Sequence, residues 1–348
     1  MREIEEARRG KPRRDAAKPR PARPERPERA APVGDKPAEP RPARPGMVIP
    51  PAHKRLRNIR LVLEYDGSRF AGWQVQPKAR TVAGVLEKVL AEIIGEDVRL
   101  VGAGRTDEGV HAEGQVANFL TKWKLPADGL VAALNDRLPD DVAVIEASDV
   151  GPEFHARHSA TNRVYRYHVI RRPSVFMRRR AWHVTKALDV RLMSEAARLI
   201  VGMHDFSAFA DLRLHQERST KVNVTYAGWK EAGPLLVFRI GGSHFLPRMV
   251  RRLVGCIVRV GAGEFSLETF RTWLTTGRGE SGPMTAPAMG LYLEHVEYPA
   301  EVVKAPRDPP WRARDRMSPV AKRAVEALER GSAEAAKDSQ SWQVETDP

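Results

Sequence analysis

Asp107 is the residue of this sequence with the clearest potential for chemistry. It lies in the glycine-rich stretch 102–112, GAGRTDEGVHA, with Arg105 two residues before it. A guanidinium beside a carboxylate keeps that carboxylate ionised and oriented, as a nucleophile or an electrostatic catalyst requires. Dense glycines also suit an ordinary turn. An Arg-x-Asp on such a loop is more often a structural ion pair, so the pattern alone leaves both interpretations open.

The other residue types exclude several kinds of chemistry. His111 could act as an acid or base, although a histidine in a turn more often makes a structural hydrogen bond. The 10 histidines include no H-x-x-x-H pair near clustered acids, so we expect no metal site. The sequence contains neither G-x-x-x-x-G-K-[ST] nor G-x-G-x-x-G, the glycine-rich motifs that bind nucleotide phosphates. The Gly-x-Ser-x-Gly motif of serine hydrolases is also absent. The single cysteine, Cys256, excludes an intramolecular disulfide and a cysteine-based zinc cluster.

Charge and aromatic residues favour a nucleic acid as the partner. The chain has 58 Lys and Arg against 44 Asp and Glu, a net charge of +14, which favours polyanions. Arginines hold phosphates and aromatic rings stack on unpaired bases. Tyr165 and Tyr167 lie on one face of a predicted strand, although the pattern alone favours ordinary cross-strand packing for them. Arg248, Arg251 and Arg252 fall outside the apolar stripe of a predicted helix, where they are either solvated or turned toward a cleft.

Two similar sets of elements are predicted to position these residues. Strand alternation over 59–65, a helix capped by Thr81 and ended by Gly95, and later strand and helix signals give the order β-α-β-β-α-β. The second half repeats this order loosely, with a strand over 163–170, a helix capped by Asp189 and another helix from about His244 to Gly261. We therefore predict an α+β fold of two ferredoxin-like halves with a cleft between them.

The composition of the chain suggests four regions. Residues 1–50 hold 11 of the 27 prolines and no aromatic residue, so we expect a disordered Pro/Arg-rich tail. The two halves are expected over 55–150 and 151–300. Residues 301–348 are expected to be mostly mobile, with one short helix over 319–330. The sequence has no apolar run of membrane-spanning length and no signal-peptide pattern, so we expect a cytoplasmic protein without membrane contact.

Five segments of the chain resemble one known family in the same order. The loop GRTDEGVHA at 104–112 is similar to the signature of the TruA family of tRNA pseudouridine synthases. Four further segments agree with that family in sequence. They contain YDG, F and GWQ (residues 65–74); FHAR, SA and YRY (154–167); MVR and VG (249–255); and AP and GLYL (286–293). The resemblance covers roughly residues 58–299. Ala103, Glu108, Ala83 and the Pro247-Arg248 pair depart from the family pattern.

The resemblance implies an activity, a site and a partner. It implies two ferredoxin-like halves with a mainly antiparallel sheet around a central basic cleft, and a homodimer that binds tRNA. It also implies isomerisation of uridine to pseudouridine at tRNA positions 38–40, on the 3′ side of the anticodon stem-loop, without cofactor or metal. Position by position, it implies Asp107 as the nucleophile, Arg105 as its neighbour in the signature, Arg251 as its basic partner and Tyr165 as the residue stacked on the target base.

The sequence leaves several alternatives open. The carboxylate could add to the ribose, add to the base, or assist removal of the proton at C2′. A synthase acting on other sites in tRNA or on other RNAs would carry the same residues. A non-catalytic RNA-binding protein would use the same basic cleft, whereas an aspartate-based nucleosidase or glycosidase would call for a second catalytic carboxylate.

Overall fold

A computed structural model describes residues 56–123, 127–214 and 219–304 of the chain. In these residues, ten strands form one mixed, mostly antiparallel sheet. The strands are β1 (Arg57–Tyr65), β2 (Val101–Gly102), β3 (His111–Thr121), β4 (Val142–Val150), β5 (Asn162–Ile170), β6 (Trp182–His183), β7 (Gly202–Asp205), β8 (Lys221–Ala232), β9 (Leu235–Gly242) and β10 (Leu291–Glu297). The helices are α1 (Val82–Ile94), α2 (Asp128–Asn135), α3 (Val190–Leu199), α4 (Met249–Gly261), α5 (Leu267–Thr276) and α6 (Ala300–Val303).

The sheet consists of two halves with the same strand order. The main path is β4-β1-β3-β10-β5-β9-β8-β7, and β2 pairs with β3. The first half therefore has the spatial order β4-β1-β3-β2, and the second has β10-β5-β9-β8 with β7 added at its edge. The first half runs β-α-β-β-α-β along the chain, and the second half runs the same way once the added β6, β7 and α5 are left aside. This arrangement confirms the predicted α+β fold of two ferredoxin-like halves.

The two halves meet where β3 and β10 pair in parallel. Tyr292 is opposite His111 and Leu293 is opposite Ala112. Farther along the same edge of β3, the short strand β2 pairs with residues 117 and 118. The loop between β2 and β3, which carries Asp107, therefore lies at the junction of the halves.

One hydrophobic core continues through both halves. Alternate residues of the strands face it, such as Leu61 of β1 and Tyr167 of β5, and α1 to α5 contribute their apolar faces. The opposite face of the sheet is polar along its centre, where Arg166 of β5 forms an ion pair with Glu113 of β3. The sheet thus has an apolar face under α1 to α5, and its opposite face is charged along the centre and also holds a second, smaller apolar cluster that includes Val116 and Phe154.

Helix α1 shows how local sequence sets an element. The side chain of Thr81 accepts a hydrogen bond from the amide of Gly84 and caps the helix, as predicted. Gly95 ends the helix in the left-handed conformation, with φ of 77°. The apolar side chains between them, at i, i+3 and i+4 spacing, are buried.

The start of α4 differs from the prediction. The helix was expected from about His244, but it begins at Met249. Arg248 before it has φ of 61°, and a residue in the left-handed region does not continue a right-handed helix. The apolar pattern that includes Leu246 reports burial and not backbone conformation, so it placed the start too early.

Three smaller differences concern short segments. His111 was placed in a turn, but it is the first residue of β3. The two-residue strand β6 and the four-residue strand β7 were not predicted, because they are too short to carry a period. The expectations for residues 1–50 and for a helix over 319–330 lie outside the described residues. None of the described helices is long and apolar enough to cross a bilayer.

Candidate active site

The Asp107 loop, residues 103–110, is held in place by the loop that follows β1. The amide of Trp73 donates to the carbonyl of Thr106 at 3.1 Å, and the amide of Gly109 donates to the carbonyl of Phe70 at 3.3 Å. Gly72 has φ of 95°, and a Cβ atom there would lie 2.7 Å from the carbonyl oxygen of Thr106. Only glycine permits this approach of the two backbones. Helix α1 anchors the supporting loop in turn, because the amide of Val82 donates to the carbonyl of Gly72 at 3.1 Å.

Buried polar side chains fix the Asp107 loop from below. The hydroxyl groups of Tyr65 and Thr106 lie 2.8 Å apart. The Nε2 group of Gln115, a fully buried residue, donates to the carbonyl of Gly104 at 2.9 Å. These contacts orient the backbone on both sides of Asp107. Sequence reasoning did not single out Gln115; a polar residue at an inward-facing position of a strand is the signal that would have found it.

Asp107 forms an ion pair with Arg251 of α4. The Nη1 group of Arg251 donates to Oδ2 of Asp107 at 2.8 Å, across 144 residues of sequence. The side chain of Asp107 is 33% exposed and that of Arg251 is 17% exposed. The pair is therefore screened from bulk water on one side only, and one edge of the carboxylate stays accessible.

The segment before β10 orients Arg251. Its Nε group donates to the carbonyl of Ala286 at 2.9 Å, and the amide of Ala286 donates back to the carbonyl of Arg251 at 3.0 Å. Helix α4 approaches this segment so closely that a Cβ atom on Gly255 would overlap the carbonyl oxygen of Met284. The guanidinium is thus held on both of its edges, toward Asp107 and toward Ala286.

Tyr165 of β5 lies beside the Asp107 loop. Its side chain is buried, and its hydroxyl oxygen lies 3.6 Å from the position that a Cβ atom on Gly104 would take. Its ring packs edge-on against Phe245, with 5.2 Å between ring centroids. Burial raises the pKa of Tyr165 to about 12; the charge of Asp107 adds to this effect and that of Arg163 opposes it. The hydroxyl group therefore remains protonated at neutral pH.

The predicted site residues are not all brought together. Asp107, Arg251 and Tyr165 converge at the junction of the halves. Arg105 is exposed, and it makes no ion pair with any residue in the described ranges. The guanidinium beside Asp107 belongs to Arg251, which the spacing within the loop did not reveal.

His111 has a structural position at the end of the loop. Its Nδ1 atom accepts a hydrogen bond from the amide of Gly67 at 3.2 Å. Its Nε2 atom lies 3.1 Å from the carbonyl oxygen of Arg179 and 3.2 Å from that of Met289. Burial lowers the pKa of His111, against the opposing effects of Asp66 and these carbonyls. The contacts correspond to the structural hydrogen bonding that the sequence favoured over an acid or base.

The Asp107 site offers a carboxylate, a guanidinium and a phenol to a reacting group. Across the three described ranges, no group of three or more His, Cys, Asp or Glu side chains is arranged to hold a metal ion. One accessible carboxylate with a fixed cationic partner is suited to nucleophilic or electrostatic catalysis. The adjacent Tyr165 supplies an aromatic ring, the side-chain type on which planar bases stack, and this ring is buried beside the Asp107 loop.

Comparison with known proteins links this geometry to one family. A family model described as tRNA pseudouridine synthase matches residues 61–159 and 196–299. The chain is 40% identical over 245 residues to tRNA pseudouridine synthase A of Acetivibrio thermocellus, a match that covers 70% of the chain and 100% of that relative. It is 42% identical to the protein of the same name from Moorella thermoacetica, over 69% of the chain and 99% of the relative. It is 43% identical to the protein of the same name from Halalkalibacterium halodurans, over 68% of the chain and 90% of the relative.

Proposed function

Since the chain belongs to the tRNA pseudouridine synthase family, we propose that it isomerises uridine on the 3′ side of the tRNA anticodon stem-loop, with Asp107 as the nucleophile. The family makes the protein an isomerase that acts on tRNA. The observation that carries the finer proposal is the ion pair between Asp107 and Arg251, in which an accessible carboxylate is fixed at the junction of the two halves. Of the two carboxylates on the signature loop, only Asp107 forms an ion pair with a described residue, and it does so beside the buried Tyr165.

The reaction is balanced without any other reactant. The N1–C1′ bond of uridine breaks, the uracil turns, a C5–C1′ bond forms, and the proton lost from C5 is replaced by one gained at N1. The Asp107 carboxylate can add to C1′ of the ribose as the uracil leaves, and is released when C5 attacks C1′. Alternatively, it adds to the base and is released after the C5–C1′ bond has formed, or it removes the C2′ proton and returns it at the end of the reaction. Each of these routes uses a carboxylate oxygen, and the Arg251 guanidinium holds the Asp107 carboxylate in place by a hydrogen bond to Oδ2.

We assign Tyr165 and the two arginines the following roles. The ring of Tyr165 stacks on the uridine that leaves the RNA stem, and its protonated hydroxyl group lies next to the reacting base. Arg251 orients Asp107 through a charge-assisted hydrogen bond. Arg105, with an exposed guanidinium on the same loop, contacts the RNA around the displaced uridine.

Loss of the Asp107 carboxylate tests the proposal. We expect Asp107→Ala and Asp107→Asn to abolish tritium release from tRNA labelled at C5 of uridine, while tRNA binding and the melting temperature remain close to those of the wild type. Glu108→Gln is the matched control, since it removes the neighbouring charge of the same loop and should retain activity. Tritium release by Asp107→Ala, or tRNA binding by the wild type without any tritium release, would contradict the proposal.

Site selection and assembly have their own tests. We propose that the protein acts in the cytoplasm as a homodimer; this rests on the resemblance and on the tRNA substrate. Pseudouridine mapping of total tRNA should show loss from the anticodon stem-loop alone when the gene is deleted, and loss elsewhere would reassign the substrate. Light scattering should return twice the chain mass of 38.9 kDa, and fractionation should find the protein with cytoplasmic tRNA.

A further inference from the structure

Three arginines surround one buried aspartate next to the candidate active site. The Nε group of Arg213 lies 3.0 Å from Oδ1 of Asp211. Arg248 Nη1 lies 3.2 Å and Arg252 Nη2 lies 3.7 Å from Oδ2 of the same carboxylate. The side chain of Asp211 is only 3% exposed. These four residues are called the Asp211 cluster below.

The Asp211 cluster has a surplus of positive charge. Its single carboxylate is ionised, because the Arg213 hydrogen bond holds the pKa of Asp211 below its usual range despite burial. Guanidinium groups remain protonated in proteins, so three positive charges face one negative charge. No acidic residue lies in the first turn of α4, whose N-terminal end adds further positive potential. Such a concentration of like charge is relieved by an anion.

Two of the three guanidiniums are open to solvent. The side chain of Arg213 is 84% exposed and that of Arg248 is 42% exposed, whereas Arg252 is largely buried. Arg213 uses its Nε and Nη2 groups on Asp211, and its Nη1 group donates to no residue in the described part of the chain. Within the described residues, Asp211 therefore fixes the guanidiniums and leaves the Nη1 group of Arg213 available to a ligand.

The Asp211 cluster adjoins the Asp107–Arg251 pair. Arg248 immediately precedes α4, and Arg251 follows it by three residues, about one helical turn. Arg252, next to Arg251 in sequence, donates to the carbonyl of Ala210. Arg248 is one of two described residues other than glycine with positive φ, a conformation that persists only where its surroundings hold it. A ligand on the cluster would lie beside whatever occupies the Asp107 site.

We propose that Arg213 and Arg248, held by Asp211, bind a backbone phosphate of the RNA strand next to the nucleotide at Asp107. This inference rests on the proposed function, because it takes the ligand to be the substrate tRNA. Planar guanidiniums match the geometry of phosphate oxygens and bind them in pairs. The contact positions the strand and takes no part in the chemistry.

The salt dependence of tRNA binding tests the proposed phosphate site. We expect the double variant Arg213→Gln/Arg248→Gln to bind tRNA about tenfold more weakly than the wild type in moderate salt. The slope of log Kd against log salt should fall by roughly 0.7 to 0.9 for each phosphate that the variant no longer binds. In the tritium-release assay, the loss should appear chiefly as a higher KM for tRNA. The matched variant Arg213→Lys/Arg248→Lys should keep most of the slope, because it keeps both charges.

Controls separate this phosphate site from a general effect of charge or of structure. Arg137→Gln removes one positive charge at the end of α2 and should leave both the slope and the affinity unchanged. The Gln double variant leaves the buried Asp211 with Arg252 as its remaining partner, so its melting temperature is expected to fall, and tRNA binding is compared at a temperature at which circular dichroism shows both proteins to be folded. An unchanged slope in the Gln double variant, or an equal decrease in Arg137→Gln, would overturn the inference.

The same experiment distinguishes this inference from the proposed function. If the wild type releases tritium and the slope of the double variant does not change, the phosphate site alone is wrong. If the slope falls but the wild type releases no tritium, the Asp211 cluster binds RNA and the proposed reaction is wrong.

Discussion

At the scale of single residues, Tyr165 presents a buried and protonated hydroxyl group beside the Asp107 loop. A phenol whose pKa is raised to about 12 is a proton donor and hydrogen-bond partner at neutral pH. Its ring and its hydroxyl group are separable by mutation. The ring alone is enough for stacking, whereas proton transfer requires the hydroxyl group.

We therefore expect Tyr165→Phe to bind tRNA as tightly as the wild type. Its single-turnover rate should fall by about 10²- to 10⁴-fold, which is the rate enhancement that a positioned general acid or base usually provides. Tyr165→Leu should also weaken binding, because it removes the stacking surface. Comparison of Kd with single-turnover rate checks both. A Phe variant of normal rate would show that the hydroxyl group takes no part in proton transfer.

His168, on the charged face of the sheet, makes the stability of the protein sensitive to acid. Burial, together with the nearby charges of Arg166 and His111, lowers the pKa of His168 to about 4, against the hydrogen bond to the Arg180 carbonyl. The ring also packs on Tyr292, with 4.7 Å between centroids. Between pH 4 and the ordinary pKa of 6.5, the unfolded chain binds a proton that the folded chain does not.

The stabilisation from neutral His168 is therefore complete above about pH 6.5 and is lost as the pH falls toward 4. We expect the advantage of the wild type over His168→Gln in free energy of unfolding to shrink by on the order of 2 kcal/mol between pH 7.5 and 4.5. Urea denaturation at both pH values measures it. The exposed His183→Gln is the matched control, and parallel pH profiles for the wild type and His168→Gln would contradict the assignment.

At the scale of the elements, the packing of α4 against the segment before β10 determines where Arg251 lies. Gly255 is the point of closest approach, since a Cβ atom there would overlap the Met284 carbonyl. We expect Gly255→Ala to lower the free energy of unfolding by about 1 to 3 kcal/mol and to slow tritium release, because Arg251 moves away from Asp107.

The helical Gly129→Ala in α2 is the control for this change. A Cβ atom on Gly129 would meet no atom of the described residues within 4 Å, so alanine should be neutral or slightly stabilising there. Chemical denaturation and tritium release are measured on both variants. If Gly255→Ala is as stable and releases tritium as fast as Gly129→Ala, then α4 can shift without moving Arg251 away from Asp107.

Elements with local signals were predictable from the sequence, and contacts between distant elements were not. The cap at Thr81 and the stop at Gly95 define α1 because both act within one turn. The pairing of Asp107 with Arg251 joins positions 144 residues apart, and no spacing encodes it; the family resemblance supplied it. The start of α4 escaped prediction because Arg248 adopts a backbone conformation that hydrophobic periodicity does not report.

At the scale of the whole molecule, the pairing of β3 with β10 joins the two halves. Gly114 of β3 lies against the backbone of β10, where a Cβ atom would overlap the carbonyl oxygen of Glu294 and lie 3.1 Å from Cα of His295. We expect Gly114→Ala to lower the free energy of unfolding by about 1 to 3 kcal/mol and to lower the activity, because the Asp107 loop starts from this junction.

The strand glycine Gly228 in β8 gives the comparison. A Cβ atom at Gly228 would meet nothing within 4 Å, so Gly228→Ala should change the free energy of unfolding by no more than about 0.5 kcal/mol. Thermal unfolding and tritium release are measured on both variants and compared with the wild type. A Gly114→Ala protein as stable and active as Gly228→Ala would mean that the junction tolerates separation.

The position of β10 also has a consequence for synthesis of the protein. This strand, one of the last described elements of the chain, lies between β3 and β5 in the middle of the sheet. A nascent chain that has emerged from the ribosome only as far as α5 carries Asp107, Tyr165 and Arg251 but lacks the strand that unites them. The candidate active site therefore forms only after β10 has emerged and paired, and until then the exposed edges of β3 and β5 depend on protection from misfolding.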